Sequence, residues 1–139
     1  MEDKESTEKS ATRMIVTIVL AGVVAGASAQ QAGFKRTVLQ QGDLSIGGRE
    51  AVTAVAEFQP GASAPRHTHP GEEIGYVLDG TVVVELEGKP AMTLGAGQTF
   101  LIPAGAVHGA RNNGSAVARI LATYIVEKGK PLATPVTDK

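Results

Sequence analysis

Three histidines and one glutamate are the residues of this chain whose types and spacing suit metal chemistry. His67 and His69 lie in the stretch RHTHPGEE, which also contains two adjacent glutamates. The third histidine of the 139-residue chain, His108, follows about forty residues later. Imidazole nitrogens combined with a carboxylate suit Mn, Fe, Co, Ni, Cu or Zn, whereas Mg and Ca prefer all-oxygen shells. The residues therefore predict a site for one divalent transition metal.

Strand geometry explains why two histidines would be spaced by one residue. On a β-strand, residues i and i+2 point to the same face. His67 and His69 would therefore converge on one point, while Thr68 points away. Glu72 and Glu73 are adjacent, so only one of the two carboxylates can face that point.

The rest of the chain predicts the strands that must position these residues. Short apolar or alternating runs are separated by turn residues and recur roughly every ten residues, which is typical of an all-β sandwich or barrel. The predicted strands are residues 37–40, 50–58, 73–79, 81–87, 91–94, 99–103 and 117–126. Apart from the N-terminal apolar segment, no stretch shows a helical stripe.

Two spaced motifs contain all three histidines. The first covers residues 61–80 and the second covers residues 97–112, with a spacer of sixteen residues between them. Their defining positions, in order, are Gly61, His67, His69, Glu73, Gly80, Gly97, Pro103, Gly105, His108 and Asn112. With both motifs present, the sequence resembles the cupin family over about residues 52–126.

The resemblance implies an all-β fold, the double-stranded β-helix or jelly roll known as the cupin barrel. In that fold the two motifs meet inside the barrel. The metal ligands of the family map onto His67, His69, Glu73 and His108, and the motif spacing selects Glu73 over Glu72. The glycines and Pro103 are expected to serve turns.

Several other residues are weaker candidates for the site. Asn112 is expected to be a turn or hydrogen-bonding residue rather than a ligand. Five side chains are candidates for lining the barrel mouth, although a packing or surface role is favoured for each: Tyr76, Gln98, Phe100, Arg111 and Tyr124.

The N-terminus predicts export. Residues 14–27 are apolar and uncharged, and Ala27-Ser28-Ala29 provides a small-x-small cleavage site. This layout indicates a signal peptide over residues 1–29 and one domain over residues 30–139, secreted or periplasmic. The apolar run is short for a bilayer span, so a membrane is a partner only if the segment stays uncleaved as an anchor. The absence of cysteine suits export.

Charge and surface patterning bear on partners. Thirteen basic and fourteen acidic residues nearly cancel and form no basic run, so no nucleic-acid partner is expected.

Residues 73–79 are apolar on both faces, with Ile74, Tyr76 and Leu78 opposite the Glu73 face. A strand with one solvated face would show polar alternation there. We therefore expect that face to be covered by the termini or by a second subunit in a homodimer.

Three function classes remain open at this point. One is a metal-dependent enzyme of the dioxygenase, isomerase or lyase type, acting on a small oxygen-rich molecule. Another is a non-catalytic module that binds a small ligand or senses metal. The third is a structural metal protein. Four protein ligands leave two open positions on an octahedral ion and none on a tetrahedral ion, so coordination geometry separates the third class from the others.

Overall fold

The computed structural model describes residues 31–137, which form two antiparallel β-sheets without a helix. This confirms the predicted all-β class. The strands are β1 (Phe34–Asp43), β2 (Arg49–Phe58), β3 (Ser63–Thr68), β4 (Gly71–Asp79), β5 (Thr81–Leu86), β6 (Met92–Gly95), β7 (Thr99–Ile102), β8 (His108–Arg111), β9 (Ala118–Glu127) and β10 (Thr134–Pro135).

The ten strands divide equally between the sheets. The first sheet has the order β1-β2-β9-β4-β7, and the second has the order β10-β3-β8-β5-β6. Strands that are distant in sequence thus become neighbours, such as β3 with β8 and β4 with β9. The sequence patterning did not predict β3, β8 or the two-residue β10, and the first two of these carry His67 and His108.

One apolar core lies between the sheets. In β2 and β9 every second residue is buried, as expected for strands with one face on a core. The buried side chains of these two strands are Val52, Ala54, Ala56, Phe58, Ala118, Ile120, Ala122, Tyr124 and Val126. The alanines leave room on this inner face for larger side chains that reach in from other strands.

Asn112 fixes the end of β8 against the first sheet. Its side chain is completely buried, and its amide nitrogen donates to the carbonyls of Phe58 at 3.0 Å and Ala116 at 2.7 Å. Its amide oxygen accepts from the backbone nitrogen of Gly114 at 2.8 Å. The expected hydrogen-bonding role is confirmed, and the bonds help to hold the strand that begins with His108.

The predicted signal peptide of residues 1–29 lies outside the described residues. The domain boundary at residue 30 therefore stays a prediction. Within residues 31–137, no helix is long and apolar enough to cross a bilayer.

Candidate metal centre

The predicted ligands come from both sheets and from the connection between them. His67 on β3 lies directly opposite His108 on β8 in the antiparallel register, so the two side chains share a face. Glu73 projects inward from β4 in the other sheet, between Tyr124 on β9 and Ile102 on β7. His69 lies one residue beyond the end of β3, in the short connection to β4, and not on the strand itself as its spacing from His67 predicted, although the two side chains still converge. A site built in this way links the two sheets.

The four side chains converge closely. The Nε2 atoms of His67 and His69 lie 3.1 Å apart, and Glu73 Oε2 lies 3.1 Å from His69 Nε2 and 3.0 Å from His108 Nε2. One ligand atom from each of the four residues lies within 4.8 Å of all the others. The four residues are only 3–9% exposed. Glu72 is half-buried and does not belong to the cluster.

Backbone carbonyls fix the protonation of the three imidazoles. The Nδ1 atoms of His67, His69 and His108 face the carbonyl oxygens of Pro65 at 2.7 Å, Leu132 at 2.5 Å and Ala106 at 2.9 Å, respectively. A carbonyl oxygen only accepts, so each Nδ1 must carry the proton. In each neutral imidazole, Nε2 therefore holds the lone pair and points into the cluster.

This arrangement fits a metal cation. Three imidazole lone pairs and a carboxylate oxygen cannot lie about 3 Å apart without a proton or a cation between them, because acceptors repel one another. Carbonyl-oriented imidazoles combined with a buried carboxylate are also the usual surroundings of a protein-bound transition metal. The donor set of three nitrogens and one oxygen matches the predicted borderline divalent ion.

The electrostatics of the cluster favour the metal-binding protonation states. Burial lowers the pKa of His67 from 6.5 to about 4, and the neighbouring His108, His69 and Arg36 charges add to this effect. Burial raises the pKa of Glu73, but hydrogen-bonding contacts with His108 and His69 outweigh it and lower the pKa to about 2. At neutral pH, His67 is therefore an uncharged imidazole that can donate a lone pair to a metal, and Glu73 is an anion.

A small cavity adjoins the cluster, with a volume of about 20 Å³. By volume it holds one or two water-sized groups. His67, Glu73 and His108 form its polar wall. The rest of its wall consists of Phe34, Ala56, Phe58, Ala64, Val84, Phe100, Gly109, Ala110 and Ile120. The cavity is therefore suited to a very small molecule beside the metal ligands.

Tyr124 supports the cluster from the first sheet. Its ring centroid lies 4.7 Å from that of His69 in an edge-on contact. Burial raises the pKa of the Tyr124 hydroxyl, and the charge of Glu73 raises it further, so the hydroxyl stays protonated and can donate. Tyr124 therefore lies directly behind the four clustered residues. Its ring has the packing role that was favoured for it.

The other weak candidates lie in different places. Phe100 lines the cavity, as expected for a mouth residue. Tyr76 is 45% exposed on the outside of the first sheet. Gln98 accepts a hydrogen bond from the Gly95 nitrogen at 2.7 Å in a turn, and Arg111 forms an ion pair with Glu85. These three side chains therefore have the surface or structural roles that were favoured for them.

Sequence reasoning missed two contributors to the site. One is the carbonyl of Leu132, which orients His69 from sixty-three residues away. No side-chain pattern signals such a contact, because any residue type has a carbonyl. The other is Arg36, whose charge acts on both His67 and Tyr124. The one sequence signal for Arg36 was its spacing of two residues from Phe34, which places both side chains on the same face of β1.

The model of the cupin domain family matches residues 54–124, just over half of the 139 residues. The chain is a cupin. The matched segment runs from the middle of β2 to Tyr124 on β9, so all four clustered residues lie within the part that identifies this cupin.

Known cupin relatives differ in their described roles. The chain is 31% identical over 86 residues to the rhicadhesin receptor of Pisum sativum and 32% identical over 89 residues to oxalate oxidase 2 of Hordeum vulgare. Each match covers 58% of this chain and 40% of the relative, so the chain spans less than half the length of these proteins. Among solved structures, the dimethylsulfoniopropionate (DMSP) lyase DddQ of Ruegeria pomeroyi superposes with a TM-score of 0.63 at 25% identity, covering 74% of this cupin and 51% of the lyase.

The lowered pKa of His67 predicts how acid affects the metal-free protein. Unfolded His67 takes up a proton near pH 6.5, whereas the folded residue does so near pH 4. The free energy of unfolding should therefore fall as the pH drops through this window, by at most about 1.4 kcal/mol per pH unit. Urea unfolding with a chelator at several pH values measures this slope.

A His67→Gln variant serves as the control for this measurement. Glu73 contributes in the same direction, but only between its unfolded pKa of 4.5 and its folded pKa of about 2. Between pH 6.5 and 4.5, the stability advantage of the wild type over His67→Gln should shrink. Parallel curves for the two proteins would contradict the assignment to His67.

Proposed function

We propose that this cupin holds one divalent transition metal with His67, His69, Glu73 and His108, and presents it to a small oxygen-rich molecule. One observation carries the proposal. Four buried acceptor atoms, three of them with their protonation set by backbone carbonyls, meet with successive separations of 3.0–3.1 Å. A cation is the simplest partner for such a cluster.

The separations support an ion with open coordination positions. Two ligand atoms that are each about 2.1 Å from an ion lie about 3.0 Å apart at a right angle and about 3.4 Å apart at a tetrahedral angle. The three successive separations of 3.0–3.1 Å lie closer to the first value than to the second. An octahedral ion held by these four residues would keep two positions for water or a small ligand, whereas a closed, purely structural site would keep none.

The chain contributes binding, orientation and charge to such a site. The bound ion would act as a Lewis acid on an oxygen atom of the ligand. Glu73 would offset one of the two positive charges of the ion. The neutral imidazoles would leave the other charge in place. The aromatic wall formed by Phe34, Phe58 and Phe100 would limit the contact of a bound molecule with water, which strengthens electrostatic interactions inside the cavity.

The reaction that fits these features is of the dioxygenase, isomerase or lyase type. The similarity to an oxalate oxidase and to a DMSP lyase supports chemistry on small molecules. A second candidate is a module that binds its ligand without turnover, which the similarity to a receptor favours. Both candidates require the same metal and the same open positions.

Metal content tests the ligand set directly. Each of the changes His67→Ala, His69→Ala, Glu73→Ala and His108→Ala should weaken metal affinity by more than about tenfold, since altering residues behind the ligands already costs roughly 10–100-fold. Glu72→Ala is the matched control and should leave metal content unchanged. Elemental analysis after dialysis against limiting metal provides the measurement.

Two outcomes would contradict the proposal in different ways. Loss of metal in Glu72→Ala but not in Glu73→Ala would show that the wrong carboxylate was assigned. Unchanged metal content in all five variants would remove the metal site altogether. In the Mn²⁺-loaded wild type, enhanced relaxation of water protons should report an exchangeable water, and its absence would favour a structural metal.

We also propose that the protein is a homodimer. Ile74, Tyr76 and Leu78 on β4, together with Leu101 on β7, form an outer apolar face on which each residue is 39–59% exposed. Ile74 and Leu101 are direct cross-strand partners, so the face is continuous. In the described part of the chain nothing covers it, and a contiguous exposed apolar patch is typical of an interaction site.

Sedimentation tests the dimer. The protein from residue 30 onward should have twice the monomer mass at micromolar concentration, and Ile74→Asp should produce the monomer because it places a charge in the buried interface. Val38→Asp, at a 51% exposed position on β1, is the control and should leave the dimer intact. A wild-type monomer across the concentration range would refute the proposal.

Export is proposed from the apolar segment of residues 14–27 and the Ala27-Ser28-Ala29 site. When the full-length chain is expressed with a secretion pathway, N-terminal sequencing of the secreted or periplasmic protein should begin at Gln30. Replacing Ala29 with a bulky residue should leave a longer precursor. Recovery of the wild type only as an intact chain in the membrane pellet would instead support an uncleaved anchor.

A further inference from the structure

Arg36 has a buried donor without a hydrogen-bond partner among the described residues, and its guanidinium lies beside two aromatic residues of the candidate metal centre. Its Nε atom is buried and has no hydrogen-bond partner within residues 31–137. Its guanidinium carbon lies 5.6 Å from the ring centroid of Phe34 and 5.5 Å from that of Tyr124. Phe34 lines the cavity, and Tyr124 packs on His69. The guanidinium thus lies between a cavity wall and the residue behind the ligands.

The sheet register shows how a side chain from β1 reaches this place. Arg36 is paired with Ala56 on β2, and Ala56 is paired with Ile120 on β9. Tyr124 lies two inward-facing positions further along β9, beyond the buried Ala122. Alanines on this inner face leave a path for the long Arg36 side chain from the edge strand to Tyr124.

The charge balance of the site shows which ligand Arg36 would favour. Among the described residues that line the cavity, Glu73 is the single carboxylate, and no lysine or arginine is present. A bound dication and the Glu73 anion leave one net positive charge, and Arg36 adds a second from the side of Phe34 and Tyr124. An anionic ligand would balance this charge.

The geometry of the guanidinium narrows the class of anion. A carboxylate binds arginine in a fork in which two parallel N–H groups, such as Nε–H and Nη–H, each donate to one oxygen. The guanidinium packs against the rings of Phe34 and Tyr124, but these contacts give its Nε–H no acceptor. Burying such a donor is costly unless a partner arrives. A carboxylate would supply the missing acceptor.

We propose that Arg36 is the specificity-determining residue of this site and that the ligand is a small carboxylate anion, whose carboxylate meets Arg36 while another oxygen approaches the metal. The inference rests on the proposed function, because it needs the metal at the four clustered residues. It adds the class of ligand and a residue outside both sequence motifs. Arg36 does not line the cavity of about 20 Å³, so the anion would extend beyond it, alongside Phe34, to reach the guanidinium.

Ligand binding to the Co²⁺-loaded protein tests the inference without any assay of turnover. The probes are glycolate, a small hydroxy acid, and glycolamide, its uncharged analogue of nearly equal size. Visible absorption of Co²⁺ reports binding of either probe. The wild type should bind glycolate at least tenfold more tightly than Arg36→Gln does, because loss of a hydrogen bond to a charged partner changes affinity by roughly tenfold or more. Glycolamide should bind both proteins about equally.

Two further variants separate contact from general charge and from folding. Lys35→Gln removes a neighbouring positive charge that is exposed on the other face of β1, and it should leave glycolate binding unchanged. Arg36→Lys keeps the charge but loses the fork, so it should weaken glycolate binding and leave glycolamide unaffected. Arg36→Lys also replaces Arg36→Gln as the decisive variant if the latter does not fold.

The outcomes distinguish this inference from the proposed function. If the wild type takes up no Co²⁺, the proposed metal site itself fails. If the wild type and the Arg36 variants take up Co²⁺ equally and bind glycolate with equal affinity, the metal site stands and the role of Arg36 is refuted. If Lys35→Gln weakened glycolate binding as much as Arg36→Gln does, the inference would also be refuted. The effect would then come from long-range charge and not from contact with Arg36.

Discussion

The constraint on which the structure depends is the burial of four lone-pair donors at one point. His67, His69, Glu73 and His108 direct acceptor atoms toward one another from both sheets, and burial deprives them of water. Without a cation or a proton between them, such a cluster would be repulsive. The fold therefore has to supply rigid support for a geometry that is favourable only with a positive charge at its centre.

Backbone contacts provide that support. The three carbonyls that orient the imidazoles belong to Pro65 within β3, Ala106 just before β8, and Leu132 in the C-terminal segment before β10. The C-terminal segment is itself held by β10, in which Pro135 is paired with His67. A metal at the site would thus connect both sheets and the C-terminal segment, so binding and folding would be coupled.

Sequence patterning predicted the local parts of this arrangement and missed the long-range parts. The spacing of the motifs selected Glu73 instead of Glu72, and the alternation of β2 and β9 revealed the core. β3 escaped prediction because its residues include Pro65 and small side chains, and β8 because its sequence HGAR contains no β-branched or bulky apolar residue. The approach of Leu132 to His69 and of Arg36 to Tyr124 depends on tertiary packing, which no local pattern encodes.

The division of labour between the motifs and β1 suggests how this cupin would differ from its relatives. The family match begins at residue 54, so the four clustered residues lie inside it and Arg36 lies outside it. In the proposed site, residues of the matched part would hold the metal, whereas the positive charge that faces an incoming molecule would come from Arg36 on an edge strand. An edge strand is bonded on one side only, and its residues can change without disturbing the ladder beyond it. Selectivity for a small anion can therefore arise in β1 while the metal ligands stay fixed.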